Sequence, residues 1–278
     1  MKTLNVGMIG AGFMGKAHAM AYAAMPMFFW PAPAITVRKM VADVTEEAAK
    51  DAALRLGFES YTADWRDIIN NPEIDIVDIV TPNDSHAEIA IAAARAGKHI
   101  ICEKPLARGA EESKTMLDAV QAAGVKHMVA FNYRRTPAVA LAKKYIDEGA
   151  IGKVLNFRGT YLQDWSADPN SPLSWRFQKS IAGSGTLGDI GTHVLDFARY
   201  LVGDIAEVMA TTKTWINERP VHAGGVDKLG TVKSSGDVEK RPVDVDDEVL
   251  SMLRFENGAI GSIEATRNGY GRNNFLTF

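Results

Sequence analysis

The sequence predicts an α/β fold with a doubly wound parallel sheet in the first half of the chain. Segments rich in Val and Ile alternate there with helix-forming segments, the pattern of strands that are buried on both faces. A glycine run, GAGFMG at residues 10–15, separates the first strand from the first helix. With 278 residues, 46% hydrophobic and 23% charged, the chain is typical of a globular protein of one large or two ordinary domains.

The glycine run lies between a strand predicted at Leu4–Ile9 and a helix predicted at Phe13–Met25. In that context the first glycine permits a tight turn, the second lets the backbone approach a pyrophosphate, and the third lets helix and strand pack closely. The helix N-terminus adds unpaired N–H groups for the phosphates. The residues expected to contact a dinucleotide here are Gly10, Gly12, Phe13, Met14 and Gly15. The alternative is a glycine-rich turn without a ligand.

An apolar, proline-rich segment follows, from Met25 to Ile35. Pro26, Pro31 and Pro33 interrupt it, and prolines at that density exclude a helix. The segment is therefore predicted to be a buried or lid-like insertion and not a membrane anchor.

Asp43 follows the second predicted strand, Arg38–Ala42. An acidic residue at this point accepts hydrogen bonds from an adenosine ribose and repels a 2′-phosphate, so the predicted cofactor is NAD rather than NADP. The spacing from the glycines exceeds the usual ~20 residues, because the proline-rich insertion lies between them. The alternative is that Asp43 caps a helix that begins at about Thr45.

Strands and helices continue to alternate as far as residue 131. The predicted elements are strand Ile74–Val80, helix Asp84–Ala96, strand Lys98–Cys102, helix Ala110–Ala123 and strand His127–Phe131. Ligands of such sheets bind beyond the carboxyl ends of the strands. Three polar segments follow strand ends: TPNDSH at 81–86, EKP at 103–105 and NYRR at 132–135. The further cofactor contacts expected there are Thr81, Asn83, His86, Glu103 and Lys104.

Five of the six histidines have a structural interpretation. The alternative for Asn83 and His86 is that they cap and begin the helix after Pro82. The remaining histidines without companion groups in the sequence are interpreted as structural, namely His18, His99, His127 and His222.

The second half, predicted as a domain at 136–278 after a first domain at 1–135, begins with a helix at Pro137–Glu148. Asn257-Gly258 is a strong signal for a hairpin turn. The charged segment from Asn217 to Asp247 is predicted to be a surface excursion. The strands expected are Val154–Tyr161, Glu207–Trp215, Glu248–Phe255 and Ala259–Thr266.

The segment GDIGTH at 188–193 places Asp189 and His193 one helical turn apart on a predicted helix, so that both face the same way. His193 is the best candidate base for an alcohol proton, since imidazole titrates nearest neutral pH. Asp189 would orient it or hold a second substrate hydroxyl, and Lys104 would donate a hydrogen bond to the reacting oxygen. The alternatives are a structural histidine, an aspartate that favours the helix N-terminus, and a surface lysine.

These motifs together resemble the Gfo/Idh/MocA family of oxidoreductases. The resemblance rests on GAGFMG at 10–15, TPNDSH at 81–86, CEKP at 102–105 and GSGTLGDIGTHVLD at 183–196. It implies a Rossmann domain followed by an α/β domain with a large, open, mostly antiparallel sheet. It also implies oxidation of a secondary alcohol on a sugar or cyclitol ring, hydride transfer to NAD(P), and homodimers or homotetramers packed through the open sheet.

Two aromatic segments, YLQDW at 161–165 and SWRF at 174–177, resemble the branch that oxidises levoglucosan and related pyranose sugars at the 3-hydroxyl. Sugar binding calls for aromatic faces and polar groups, although about half of such rings belong to the core. The expected substrate contacts are Lys104, Tyr133, Arg134, Tyr161, Gln163, Asp164, Trp165, Trp175, Arg176, Asp189 and His193. An inositol dehydrogenase and a non-catalytic NAD-binding sensor on the same fold are the alternatives.

Composition excludes other classes of protein. The net charge of −3 without a long basic block argues against a nucleic-acid partner. The single cysteine, Cys102, fits a reducing, cytoplasmic compartment. The sequence contains no run of about 18 apolar residues, so no membrane span is predicted. It contains no Cys/His cluster with the spacing of a metal site, so no metal is predicted. Because family members usually run well past ~300 residues, the chain is expected to lack the last strands of the second domain.

Overall fold

The computed structural model describes residues 1–221 and 239–278, and the chain divides into two compact units, Met1–Ala130 and Phe131–Phe278. The division falls slightly before the proposed domain boundary after residue 135. Asn132–Arg135 forms a short 3₁₀ turn at the start of the second unit. Much of the predicted surface excursion, together with His222, lies outside the described residues. Each unit is described below by itself.

The first unit contains a six-stranded parallel sheet in the order β3-β2-β1-β4-β5-β6, which confirms the doubly wound prediction. Its strands are β1 (Lys2–Ile9), β2 (Ala34–Ala42), β3 (Ser60–Thr62), β4 (Ile76–Ile79), β5 (His99–Cys102) and β6 (His127–Val129). Its helices are α1 (Phe13–Phe28), α2 (Glu46–Leu56), α3 (Trp65–Asn70), α4 (His86–Arg95) and α5 (Ala110–Ala123).

The ends of α2 follow from its sequence. The Thr45 hydroxyl accepts a hydrogen bond from the Ala48 amide at 3.1 Å, and Glu46 places a negative charge in the first turn. Gly57 closes the helix in the left-handed conformation, at φ 71°. Because Thr45 is the cap, the interpretation of Asp43 as the cap of this helix is wrong.

The proline-rich segment differs from the prediction. Helix α1 continues through Pro26 to Phe28, although the sequence was taken to exclude a helix there. Proline cannot donate to the carbonyl of Tyr22 one turn earlier, but the Thr36 hydroxyl lies 3.5 Å from that oxygen and donates to it instead. The segment is not buried either, since Phe28 and Trp30 are 79% and 71% exposed.

The second unit contains a five-stranded sheet in the order β13-β7-β12-β11-β8, in which only β7 and β12 among the described strands pair in parallel. Its strands are β7 (Asn156–Gln163), β8 (Ile205–Lys213), β9 (Glu218–Pro220), β10 (Lys240–Pro242), β11 (Glu248–Phe255), β12 (Ile260–Thr266) and β13 (Asn274–Thr277). Its helices are α6 (Pro137–Asp147), α7 (Lys179–Ala182) and α8 (Thr192–Leu201). The mostly antiparallel sheet confirms the expectation, and β9 and β10 form a separate pair.

The predicted hairpin between β11 and β12 is confirmed. Gly258 adopts φ 85°, and the Asn257 side chain accepts a hydrogen bond from the Ala259 amide at 3.0 Å. Helix α8 buries Val194 and Phe197 against Val249 and Ile263 of this sheet. The core of the second unit therefore lies between α8 and one face of the sheet.

Among the described residues, no helix is long and apolar enough to cross a membrane. The same residues contain no group of three or more His, Cys, Asp or Glu side chains that could hold a metal ion.

Candidate active site

The glycine loop of the first unit has the backbone that its sequence predicts. Gly10 adopts φ +94°, and a Cβ atom there would lie 2.8 Å from the carbonyl oxygen of Val80. A Cβ atom on Gly15 would lie 2.7 Å from the carbonyl oxygen of Gly10. Both positions therefore require glycine, the first for its conformation and the second for close packing of helix and loop.

The N-terminus of α1 is open to an anion. Gly12 occupies the N-cap position without a side-chain cap, and the first turn carries no acidic residue. Phe13 at the first position is 60% exposed. Uncapped amides and the positive end of the helix suit a pyrophosphate.

Asp43 stands at the carboxyl end of β2 beside this loop. Its Oδ2 accepts a hydrogen bond from the Ala11 amide at 3.1 Å, and its Oδ1 accepts one from the Val44 amide at 2.7 Å. A carboxylate fixed next to the glycine loop is the arrangement that receives ribose hydroxyls. The loop, the helix N-terminus and Asp43 therefore fit NAD.

The loop after β4 differs from the prediction at His86. This side chain was expected to touch the cofactor, but it is fully buried. Its ring nitrogens lie 3.0 Å from the carbonyl oxygen of Thr81 and 3.1 Å from that of Pro105. His86 therefore ties two loops together and begins α4, as the alternative interpretation held. Asn83 is 7% exposed and begins the short turn before that helix.

Glu103 and Lys104 follow β5 directly. Glu103 is 5% exposed, and its Oε2 accepts a hydrogen bond from the amide of Lys104 at 3.2 Å. Its Oε1 accepts one from the Nε2 atom of His18 at 3.1 Å. The expectation that His18 has no companion groups is therefore wrong. The sequence hid them because the partners are 60 and 85 residues away along the chain.

In the second unit, Asp189 and His193 lie at the junction of two kinds of helix. Leu187–Gly191 forms a π-helical turn, and α8 continues from Thr192. The sequence predicted a regular helix here. Short π segments inside helices are frequent at functional sites because they change the direction of a side chain.

Aromatic rings surround His193, which is 6% exposed. The centroid of its ring lies 4.6 Å from that of Tyr133, 5.9 Å from that of Phe131 and 6.1 Å from that of Tyr161. The Phe131 contact is edge-on, at an interplanar angle of 83°. The imidazole is therefore packed among three aromatic rings.

Hydrogen bonds between uncharged side chains link the tyrosines beside His193 to further polar residues of the second unit. The Tyr161 hydroxyl donates to the Asn274 side-chain oxygen at 2.9 Å, and the Gln163 amide donates to that oxygen at 2.7 Å. Since Tyr161 donates to Asn274, the Tyr133 hydroxyl, 2.9 Å away, donates to Tyr161. The indole N–H of Trp165 donates to Gln163 at 2.9 Å. Burial and the bond to Tyr133 raise the pKa of Tyr161, which keeps it a neutral donor.

Sequence reasoning missed Asn274 and Arg267. Asn274 lies on β13, which pairs with β7, so topology alone brings it to Tyr161. Arg267 is fully buried, with its guanidinium 5.2 Å from the Trp165 ring and 5.1 Å from the Phe177 ring. Its Nη1 lies 3.4 Å from Asp189 Oδ2. Asp189 therefore faces a buried cation. The alternative interpretation, in which Asp189 only favours the helix N-terminus, does not account for this contact.

Three expected sugar contacts are occupied within the unit. Arg134 forms a two-pronged ion pair with Asp196, whose side chain is 6% exposed. Asp164 accepts hydrogen bonds from the amides of Gly271 at 3.1 Å and Asn273 at 3.2 Å. Arg176 stacks on the neighbouring Trp175 at 4.4 Å. These contacts favour structural roles for Arg134 and Asp164. Trp175 and Arg176 are both partly exposed.

Two domain models of one family match the chain. The model described as the oxidoreductase family with an NAD-binding Rossmann fold matches residues 4–131. The model of the GFO/IDH/MocA C-terminal domain matches residues 139–278. The chain belongs to the GFO/IDH/MocA family of NAD-binding oxidoreductases, as its motifs predicted.

Within this family, the chain is similar to several sugar and inositol dehydrogenases. The chain is 71% identical over 278 residues to levoglucosan dehydrogenase of Pseudarthrobacter phenanthrenivorans, covering all of this chain and 71% of that protein. It is similar to the structure of a levoglucosan dehydrogenase in complex with NADH and levoglucosan, at a TM-score of 0.92 and 68% identity. That match covers 99% of this chain and 70% of the other. The NAD-dependent scyllo-inositol 2-dehydrogenase of Bacillus subtilis is 34% identical over 227 residues, which cover 82% of this chain and 58% of that enzyme.

Proposed function

We propose that this protein is an NAD-dependent sugar dehydrogenase that oxidises the 3-hydroxyl of levoglucosan. The observation that carries the proposal is the 71% identity to a levoglucosan dehydrogenase over the whole of this chain. The site supports it, because the glycine loop and Asp43 fit NAD, and because Lys104, Asp189 and His193 are all present. A protein that only senses NAD has no need of a proton acceptor.

His193 is the proposed base that takes the proton of the alcohol. A neutral imidazole accepts a proton at its free nitrogen, and the ring must be held still for the transfer to be efficient. The rings of Tyr133 and Phe131 hold it from two directions.

Asp189 and Lys104 are the proposed electrostatic groups. Asp189 would stabilise the imidazolium form of His193 or bind a sugar hydroxyl, and Arg267 fixes its carboxylate. Lys104 would donate a hydrogen bond to the reacting oxygen and stabilise its developing negative charge. NAD, when bound, accepts the hydride of the carbinol carbon.

The polar and aromatic side chains hydrogen-bonded beside His193 suit a sugar as substrate. Ring hydroxyls need several fixed donors and acceptors, and a pyranose presents an apolar face that stacks on aromatic rings. Gln163 and Asn274 supply amide groups, and Trp165 supplies an aromatic ring fixed by its N–H hydrogen bond.

The test is reduction of NAD, followed by absorbance, with levoglucosan, 1,5-anhydroglucitol, glucose and myo-inositol as separate substrates. We expect the highest kcat/KM with levoglucosan and NAD and a much lower value with NADP. Binding of NADH without turnover of any sugar would overturn the proposal and support the sensor interpretation. A preference for myo-inositol would contradict the substrate and keep the class of enzyme.

The position of oxidation has its own test. Levoglucosan deuterated at C3 should transfer deuterium to the nicotinamide, which mass spectrometry of the recovered NADH detects. Levoglucosan deuterated at C2 or at C4 should give unlabelled NADH. Label from either of these positions would overturn the assignment of the 3-hydroxyl.

We also propose that the protein forms a homodimer or homotetramer through the open sheet of the second unit. The sheet face opposite α8 exposes apolar side chains in the middle of β8 and β11, including Met209 at 68% and Met252 at 59%. Exposed apolar patches of this kind mark interfaces. Light scattering coupled to size exclusion should show an oligomer, and Met252→Glu should dissociate it, whereas a charge on exposed Leu54 should not. A monomeric wild-type protein would contradict the proposal.

A further inference from the structure

Four polar side chains form a largely buried cluster in the first unit, and the proposed chemistry uses none of them. They are His18 and Tyr22 on α1, Asp78 on β4 and Glu103 after β5. The side chains of Asp78 and Glu103 are 0% and 7% exposed, and that of His18 is 17% exposed. His18 stands between the two carboxylates.

A carboxylate faces each ring nitrogen of His18. Its Nδ1 lies 2.9 Å from Asp78 Oδ2, and its Nε2 lies 3.1 Å from Glu103 Oε1. An ionised carboxylate only accepts hydrogen bonds, so both ring nitrogens carry protons and the ring is an imidazolium. Burial by itself would lower the pKa of His18, but the hydrogen bonds to Asp78 and Glu103 outweigh it and raise the pKa to about 10.

Tyr22 closes the far side of the cluster. Its hydroxyl donates to Asp78 Oδ2 at 2.9 Å. Burial and the charge of Asp78 raise the pKa of this hydroxyl, so it remains a donor. With His18 charged, the cluster carries one positive and two negative charges. A buried arrangement of this kind is stable only while the cation stays between the anions.

The cluster connects the helix of the glycine loop to the proposed catalytic lysine. His18 lies on the helix that begins at the loop, and it donates to one oxygen of Glu103. The other oxygen of Glu103 accepts the amide of Lys104 at 3.2 Å. A single carboxylate is thus held by His18 on one side and holds the Lys104 backbone on the other.

We propose that His18 is a positioning residue that sets the orientation of Lys104 through Glu103. The imidazolium holds the Glu103 carboxylate in the rotamer that captures the Lys104 amide. Without it, Glu103 and Asp78 repel each other across a buried gap, and the Lys104 turn loses its anchor. This inference rests on the proposed role of Lys104 in sugar oxidation.

The main test is the pair of variants His18→Gln and Lys104→Ala, alone and combined, with NAD and levoglucosan. His18→Gln should lower kcat about 10- to 100-fold, the cost of a misplaced catalytic group, and change KM for the sugar by less than about threefold. In the Lys104→Ala background the same change should lower kcat by less than about twofold, because the group that His18 positions is gone. Binding of NADH, measured by fluorescence, should stay within about threefold of the wild type.

Tyr22→Phe is the matched control. It removes one hydrogen bond from Asp78 and leaves the bonds from His18 to Glu103 and from Glu103 to Lys104. Its kcat should stay within about threefold of the wild type. If His18→Gln does not fold, Glu103→Gln takes its place, because it keeps an acceptor for the Lys104 amide and removes the charge that holds His18. It should give the same drop in kcat and the same dependence on Lys104.

Two results would overturn the inference. One is a wild-type kcat in His18→Gln, or in Glu103→Gln where that variant takes its place. The other is an equal loss in the Lys104→Ala background, which would mean that His18 supports the fold and not the lysine. An inactive wild-type protein that binds NADH would instead refute the proposed function, so the two failures are distinguishable.

Discussion

The two units surround one histidine each in different ways. The first unit places His18 between two buried carboxylates, so that a cation lies between two anions. The second unit packs His193 against the rings of Tyr133 and Phe131. A histidine between carboxylates keeps its proton and serves as a fixed cation. The proposed base of the second unit is instead packed against aromatic rings, which hold its imidazole in place.

The largest expected effect tests His193 as the base. His193→Asn should lower kcat by about 10²- to 10⁴-fold, the range typical of a lost general base, and leave NADH binding unchanged. Stopped-flow reduction of NAD with levoglucosan measures it. His127→Asn on the exposed end of β6 serves as the control and should keep full activity. Near-native turnover of His193→Asn would remove the difference between the two histidines.

The next effect concerns the backbone of the glycine loop. Gly10→Ala should destabilise the first unit by about 1–3 kcal/mol and weaken NADH binding, because its φ is +94° and its Cβ would meet the Val80 carbonyl. Gly97→Ala is the matched control, since Gly97 has φ +73° but no neighbour within 4 Å of a Cβ. Chemical denaturation of both variants separates the cost of the positive φ from the cost of the steric clash. Equal losses would show that conformation alone accounts for the requirement.

A comparable effect tests the neutral hydrogen-bond chain. Tyr161→Phe should destabilise the second unit by about 1–3 kcal/mol, because Gln163 and Tyr133 lose a shared partner at a buried position. The control is Tyr270→Phe, whose hydroxyl bonds the Ala167 carbonyl from a side chain that is 77% exposed. That change should stay within about 0.5 kcal/mol. An equal cost for both would mean that the chain adds nothing beyond ordinary surface bonds.

The last prediction concerns the dependence of stability on pH in the first unit. Folding raises the pKa of His18 from 6.5 to about 10, since Asp78 and Glu103 accept its two N–H groups while Tyr22 stays protonated beside them. This stabilisation is full below pH 6.5 and is lost as pH rises through about 10. The wild type should therefore have a higher free energy of unfolding than His18→Gln, and this difference should decrease over that pH range. Urea titrations at several pH values measure it, and a constant difference would contradict a charged His18.

The sequence predicted the first unit well because its signals are local. The glycine run and the alternation of strands and helices are both read from residues that lie close together in the chain. The prediction failed at Pro26, where a hydroxyl from a neighbouring strand, Thr36, bonds the carbonyl that proline leaves free. It failed at His86, where burial depends on the packing of two loops.

The candidate site of the second unit could be predicted only in part. His193 and Asp189 stand in a recognisable motif, and Gln163 and Trp165 follow a strand. Arg267 and Asn274 carry no local signal, because each reaches the site through the order of the strands. Likewise, no pattern showed that Arg134 pairs with Asp196, since an arginine that binds a sugar and one that holds a helix look the same in sequence.

The bond between Tyr161 and Asn274 also bears on how the protein folds, because it joins residues 113 positions apart. Contacts at such separation close large loops and form late. During synthesis, the first unit can complete its sheet while Asn274 is still inside the ribosome. Until β13 pairs with β7, Tyr161 lacks its acceptor and the edge of β7 lacks its partner. The second unit therefore completes its sheet later in synthesis than the first, and β7 lacks one of its two neighbours until then.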